Sequence, residues 1–174
     1  MGIDVLISEQ RIKRRVRELA EEISSEYKHK DLLLLGILKG AFIFLADLVR
    51  ALNIPSRCDF IKVRSYVERE SSGKIEIDFF PAVEGEDVLL VEDIIDTGLT
   101  INRIKEEIRK SGAKSVRLCA LLDKPERRKE EVSIDYLGFS IPNRFVVGYG
   151  LDYNERFRNL PYIGVIEDAG VKVR

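Results

Sequence analysis

The chain is expected to form an α/β domain built on a central parallel sheet with helices on its faces. Two observations predict this. Apolar runs at Leu32–Leu38, Val88–Val91 and Ser115–Leu122 suit strands buried on both faces rather than one. Helical spacing lies between them, at Ala41–Leu52 and from Ile101 onward through Ile104, Lys105 and Ile108, and such alternation argues for a parallel sheet with right-handed crossovers. At 174 residues a single domain with a sizeable core is the expectation.

Residues 8–28 read as an amphipathic helix with Ile12, Val16, Leu19, Ala20, Ile23 and Tyr27 on one face and Ser8 as its cap. The lone histidine, His29, follows in a polar turn, so no histidine-centred triad is expected. Arg57–Val63 alternates apolar and polar side chains as a half-exposed strand does, and Lys74–Phe80 resumes as a strand after a polar loop. Loops of that length in compact domains often act as lids. Ser111-Gly112 ends the helix that began at Ile101. The charged turn Glu126–Glu131 reads as solvent-exposed. The aromatic segments Tyr136–Phe139 and Phe145–Tyr149 read as a small subdomain over the active edge of the sheet.

Lys plus Arg total 29 against 30 Asp plus Glu, so no global charge favours nucleic acid or an acidic membrane surface. The charged share, 34%, resembles the bias of heat-adapted proteins. Cys58 and Cys119 lack metal-type spacing and read as buried, reduced thiols. No leader-like apolar segment or membrane-length run is seen, and a cytoplasmic location is the expectation.

Candidate chemistry gathers at the carboxyl ends of the predicted strands, where open α/β sheets bind ligands. Glu92 and Asp93 follow Val91, and acceptor-only carboxylates suit the hydroxyl donors of a sugar diol. Asp96-Thr97-Gly98-Leu99-Thr100 adds hydroxyls, a turn glycine and free N–H groups at a helix start, which suits a phosphate. Taken singly, Asp96 or Thr100 reads as an ordinary helix cap. Lys39-Gly40 is either a tight turn or a second anion site, and Asp123-Lys124-Pro125 marks a third strand end. A phosphorylated sugar fits this set, and no P-loop pattern is present.

The stretch Val91-Glu-Asp-Ile-Ile-Asp-Thr-Gly-Leu-Thr100 resembles the phosphoribosyl-diphosphate motif of type I phosphoribosyltransferases, nearest their hypoxanthine or hypoxanthine-guanine branch. The likeness extends to Leu38-Lys-Gly40, Ser65-Tyr66, Leu121-Leu-Asp-Lys-Pro125 and Phe145-Val-Val-Gly-Tyr-Gly-Leu-Asp-Tyr-Asn154. It implies a core over about 31–125, a hood from the N-terminal segment and about 135–174 over the C-terminal strand ends, and a mobile loop over about 65–76. The activity implied is transfer of a phosphoribosyl group from phosphoribosyl diphosphate to N9 of hypoxanthine or guanine, with Mg²⁺ present. Carried over, Glu92 and Asp93 bind ribose hydroxyls, and Ile95, Asp96, Thr97, Gly98, Leu99 and Thr100 surround the ribose and 5-phosphate. Asp96 also serves as general base at purine N7. Lys39, Gly40, Ser65, Tyr66 and Arg158 face pyrophosphate, with Lys39 in a peptide often held cis. Lys124, Phe145, Val146 and Asp152 form the purine side, and Asp152, Glu92 and Asp93 serve Mg²⁺.

The family also implies a homodimer or tetramer. Charged Arg64 and Glu68-Arg-Glu70 depart from the small-residue loop of many bacterial members, leaving loop closure open. Arg144 stands where many relatives carry an acid, leaving purine preference open. Two rival readings keep the fold: a nucleic-acid-binding regulator, for which a basic face is missing, and a sister enzyme for xanthine or a pyrimidine.

Overall fold

The computed structural model describes residues 2–64 and 76–166. The main sheet has six strands in the order β4-β3-β2-β5-β6-β7. These are β2 (Leu32–Leu38), β3 (Ser56–Arg64), β4 (Glu76–Phe79), β5 (Asp87–Ile95), β6 (Ser115–Asp123) and β7 (Tyr136–Ser140). Neighbours are parallel except β4, which runs antiparallel along the end of β3. A second sheet of order β1-β9-β8 joins β1 (Ile3–Ile7), β8 (Val146–Val147) and β9 (Ile163–Ile166), all antiparallel.

The unbroken apolar runs are explained by burial on both faces. Leu32, Leu34, Leu89, Val91, Cys119 and Leu121 pack on one side with helices α1 (Glu9–Glu26) and α2 (Phe42–Ala51). Leu33, Leu35, Val88, Leu90, Leu118 and Ala120 pack on the other with Ile101, Ile104 and Ile108 of α3 (Leu99–Lys110). Successive strand residues alternate faces, so each run feeds both clusters. Ser8 caps α1 by accepting from the Arg11 N–H. The small sheet has no core of its own: Ile7, Val146, Ile163 and Val165 join the α1–α2 cluster.

Several expectations are corrected. The segment Tyr136–Ser140 belongs to the main sheet as a parallel neighbour of β6, not to a hood. Only β1, β8 and β9 form the separate sheet. Cys58 is exposed, because β4 covers β3 only from Lys62 to Arg64 and leaves the earlier residues bare; Cys119 is buried as expected. The loop expected over 65–76 lies outside the described residues but for its last residue.

Candidate active site

The cleft opens where β5 loses a neighbour. Pairing of β2 with β5 stops at Gly36 and Val91, whereas β5 continues beside β6 to Ile95. Glu92 and Asp93 therefore stand inside the strand, beyond the reach of β2, rather than after its end. The gap is closed by Lys39-Gly40, reached through a cis Leu38–Lys39 peptide. Gly40 is required by contact, since a Cβ there would lie 1.6 Å from Asp93 Oδ2. Burial, then the neighbouring Asp93 charge, pushes the Glu92 carboxyl well above its ordinary range. Burial also raises Asp93, against the lowering effect of hydrogen bonds from its surroundings and of the Arg158 charge.

The next turn is held from both ends. Gly98 caps α3 at φ 89°, and a Cβ there would meet Glu130 O at 2.6 Å and Val132 Cγ2 at 2.7 Å. Neither Asp96 nor Thr100 acts as the cap; the Leu99 amide donates to Thr97 Oγ1 at 3.5 Å, and the amides that follow it at the helix start suit an anion. A cavity here is lined by Gly40, Glu92, Asp93, Asp96, Thr97 and Thr100 among others. Its floor is supported by the segment after β6, which the sequence presents as a solvated turn. Lys129 N and Glu130 N donate to Thr97 O at 2.9 and 3.1 Å. Arg128 donates to Asp96 O at 2.9 Å and pairs with the Asp123 carboxylate. Asn102 Nδ2 donates to Glu131 O at 3.0 Å, and the buried Lys105 donates to Ser133 O at 3.1 Å. The expectation of a solvent-exposed turn holds for Glu126, Lys129, Glu130 and Glu131 and is corrected for Arg127 and Arg128, which are half-buried and pair with Asp96 and Asp123.

A second cavity shares Asp93, Ile94 and Asp96 with the first and adds Lys124, Phe145, Val146, Leu151 and Asp152. Lys124 is only 9% exposed. Burial lowers its pKa, and the charge of Asp96 opposes that shift. Phe145 keeps 37% of its surface exposed while its ring is braced edge-to-face by Tyr153 at 5.6 Å. A braced ring with an open surface is suited to stacking on a planar ligand.

Lys39 and Arg158 stand beside the second cavity, tied to Glu155 and to its lining residue Asp152. Lys39 Nζ pairs with Glu155 Oε2 at 2.8 Å. Arg158 pairs with Asp152 at 2.9 Å and Glu155 at 3.3 Å, and donates to Gly150 O at 2.7 Å. The structure thus brings Gly40, Glu92, Asp93, Ile95, Asp96, Thr97, Gly98 and Thr100 to one cavity, and Lys124, Phe145, Val146 and Asp152 to the adjoining one. Leu99 is 39% exposed and does not line either of them. Ser65 and Tyr66 lie outside the described residues. Arg127, Arg128 and Glu155 were missed by sequence reasoning; the spacing of Arg127 three residues after Lys124 was the one available signal.

The carboxylates of the cleft supply only part of a shell for Mg²⁺. Among the described residues no group of three or more His, Cys, Asp or Glu could hold a metal ion alone. Glu92 and Asp93 line one cavity, and Asp93 and Asp152 the other. That fits an ion held by one or two carboxylates together with substrate oxygens, as Mg²⁺ commonly is.

The phosphoribosyl transferase domain model matches residues 4–154. The chain is 49% identical over 168 residues to a hypoxanthine-guanine phosphoribosyltransferase of Bacillus subtilis (strain 168), covering 95% of this chain and 93% of the relative. It is 44% identical over 169 residues to a hypoxanthine phosphoribosyltransferase of Escherichia coli (strain K12), covering 94% and 95%. A crystal structure of a hypoxanthine-guanine phosphoribosyltransferase from Bacillus anthracis superposes with a TM-score of 0.90 at 40% identity, covering 95% of this chain and all of that one. With a family model across most of its length and relatives this similar end to end, the chain belongs to the phosphoribosyl transferase family.

Proposed function

We propose that this protein transfers the 5-phosphoribosyl group from phosphoribosyl diphosphate to N9 of hypoxanthine and guanine, giving the nucleotide and pyrophosphate. One observation carries the reading: Asp96 and the buried Lys124 line a single cavity that also contains Asp93 of the ribose-type carboxylate pair. The names of the relatives support the same substrates.

Glu92 and Asp93 accept hydrogen bonds from the ribose hydroxyls, and the amides of the turn before α3 hold the 5-phosphate. Phe145 stacks on the purine while Lys124 donates to O6. An ammonium has donors only, so the amino group that adenine presents at that place is left unmatched. The bond from N9 to C1′ forms as the bond from C1′ to the pyrophosphate oxygen breaks, and the purine proton passes to Asp96 from N7. Arg158 and the Lys39 backbone N–H receive the leaving pyrophosphate. Mg²⁺, held by one or two of the carboxylates Glu92, Asp93 and Asp152 together with substrate oxygens, would supply charge neutralisation for the diphosphate.

We also read the chain as one domain acting in the cytoplasm as a homo-oligomer, without nucleic-acid or membrane partners. Near-balanced charge supports the exclusion of nucleic acid, and no helix among the described residues is long and apolar enough to cross a membrane. The test is a spectrophotometric assay with Mg²⁺ and phosphoribosyl diphosphate, offering hypoxanthine, guanine, xanthine and adenine separately. Turnover of the first two with adenine inert is expected, and the xanthine rate decides whether a sister activity accompanies them. Binding of phosphoribosyl diphosphate without turnover of any base would overturn the reading.

A further inference from the structure

The short 3-10 turn Pro125–Arg127 follows Lys124 directly, with Lys124 as its cap. Side chains three residues apart in such a turn fall on one side, so Lys124 and Arg127 address the same neighbour. That neighbour is Asp96: Arg127 Nε lies 2.7 Å from Asp96 Oδ1, and Asp96 and Arg127 are both charges that Lys124 senses.

We infer that Arg127 is a positioning residue for Asp96, holding one carboxylate oxygen so that the other is presented to the base-binding cavity. The inference rests on the reading of Asp96 as the group that takes the purine proton. Asp96 Oδ1 is sealed from solvent and accepts no aligned hydrogen bond, so the 2.7 Å contact with Arg127 Nε is an ion pair, whereas the side chain as a whole is 42% exposed. The exposure therefore belongs to the other atoms of the side chain. Asp96 lines both cavities, and Arg127 lines neither. The guanidinium thus acts from behind the carboxylate. The carbonyl of Asp96 is fixed from the same turn, because Arg128 donates to it at 2.9 Å. Backbone and side chain of Asp96 are accordingly set by consecutive arginines, and the turn carrying them begins at the residue that reads O6.

A rotating carboxylate would still bind, ionise and accept a proton, but it would reach the productive geometry less often. Replacing Arg127 should consequently lower kcat and spare the binding of phosphoribosyl diphosphate, which Asp96 does not hold through that oxygen. Lysine at 127 keeps the charge and loses the planar fork, so it should recover part of the rate.

The experiment compares wild type, Arg127→Gln and Arg127→Lys as full chains, measuring kcat for hypoxanthine, Kd for phosphoribosyl diphosphate by calorimetry, and the thermal midpoint. Expected are a fall in kcat of about tenfold in Arg127→Gln, a Kd within about twofold of wild type, and partial recovery in Arg127→Lys. An unchanged kcat overturns the inference, as does a loss of kcat matched by equal losses of affinity and thermal midpoint. If wild type itself turns over no base, the functional reading fails separately. Crystals of Arg127→Gln then decide the positioning role: an Asp96 side chain reoriented relative to wild type upholds it, and an unmoved one overturns it.

Discussion

Two adjoining parts of the cleft handle charge in opposite ways. At the purine end, Lys124 is buried and its ammonium is pressed toward the neutral form by burial. At the diphosphate end, Lys39 and Glu155 form an ion pair whose side chains are 61% and 64% exposed. Exposed pairs contribute about 0–1 kcal/mol and are screened by salt, whereas a mismatched buried polar group costs about 1–3 kcal/mol. The purine end is therefore built to discriminate. Under the proposed assignment the diphosphate side exchanges partners, with Glu155 holding Lys39 in an exposed pair that pyrophosphate would replace.

The largest effect that sharpens this contrast is expected from Asp96→Asn. Loss of the proton acceptor should lower kcat by about 10² to 10⁴, with the Kd for phosphoribosyl diphosphate little changed; single-turnover kinetics beside calorimetry separates the two. Equal loss of both would remove Asp96 from the chemistry. Lys124→Gln comes next. An amide donates and accepts, so selection against adenine, measured as the ratio of kcat/KM values, should fall on the order of 10². Unchanged selectivity would take Lys124 out of base recognition.

A smaller change is expected on the diphosphate side. Glu155→Gln frees Lys39 while Arg158 keeps Asp152, so pyrophosphate should inhibit about two- to fivefold more tightly, as fits one exposed pair. Weaker inhibition would mean that Glu155 helps to build the subsite instead.

Within the cleft, Glu92→Gln should raise the thermal midpoint at neutral pH while weakening binding of phosphoribosyl diphosphate. The sign follows from the raised Glu92 carboxyl. A carboxyl raised in the folded state binds protons more readily there than in the unfolded chain, so its ionisation costs stability once pH exceeds the folded value. Below the unfolded value that cost disappears. The stabilisation by Gln should thus be present at neutral pH and shrink as pH falls through the raised value toward the ordinary carboxylate range. A midpoint lower than wild type at neutral pH would contradict the burial argument.

Much of the cleft was legible because its signals are local. The bounds of β2 at Leu32–Leu38 follow from one apolar run, and the acidic, hydroxyl and glycine positions after Val91 run without a break through the end of β5 into the start of α3. What was misread depends on distant partners. Arg127 looks solvated in sequence because its counter-charge, Asp96, follows the end of another strand, whereas Arg128 pairs with the nearby Asp123. Strand β7 looks like part of a hood because, as an edge of the parallel sheet, it lacks the doubly buried run of its neighbours. Helix α3 begins at Gly98 rather than at a side-chain cap because the approach of Glu130 leaves no room for a Cβ.

The contrast between the two ends is tested most directly by varying ionic strength in one assay series. For each salt concentration, kcat/KM is measured for hypoxanthine and for adenine, together with the inhibition constant of pyrophosphate. The account predicts that pyrophosphate affinity falls steadily with salt while the hypoxanthine-to-adenine ratio stays constant, because the discriminating ammonium is shielded from solvent. A ratio that collapses in step with pyrophosphate affinity would contradict it, placing both ends under the same screened electrostatics.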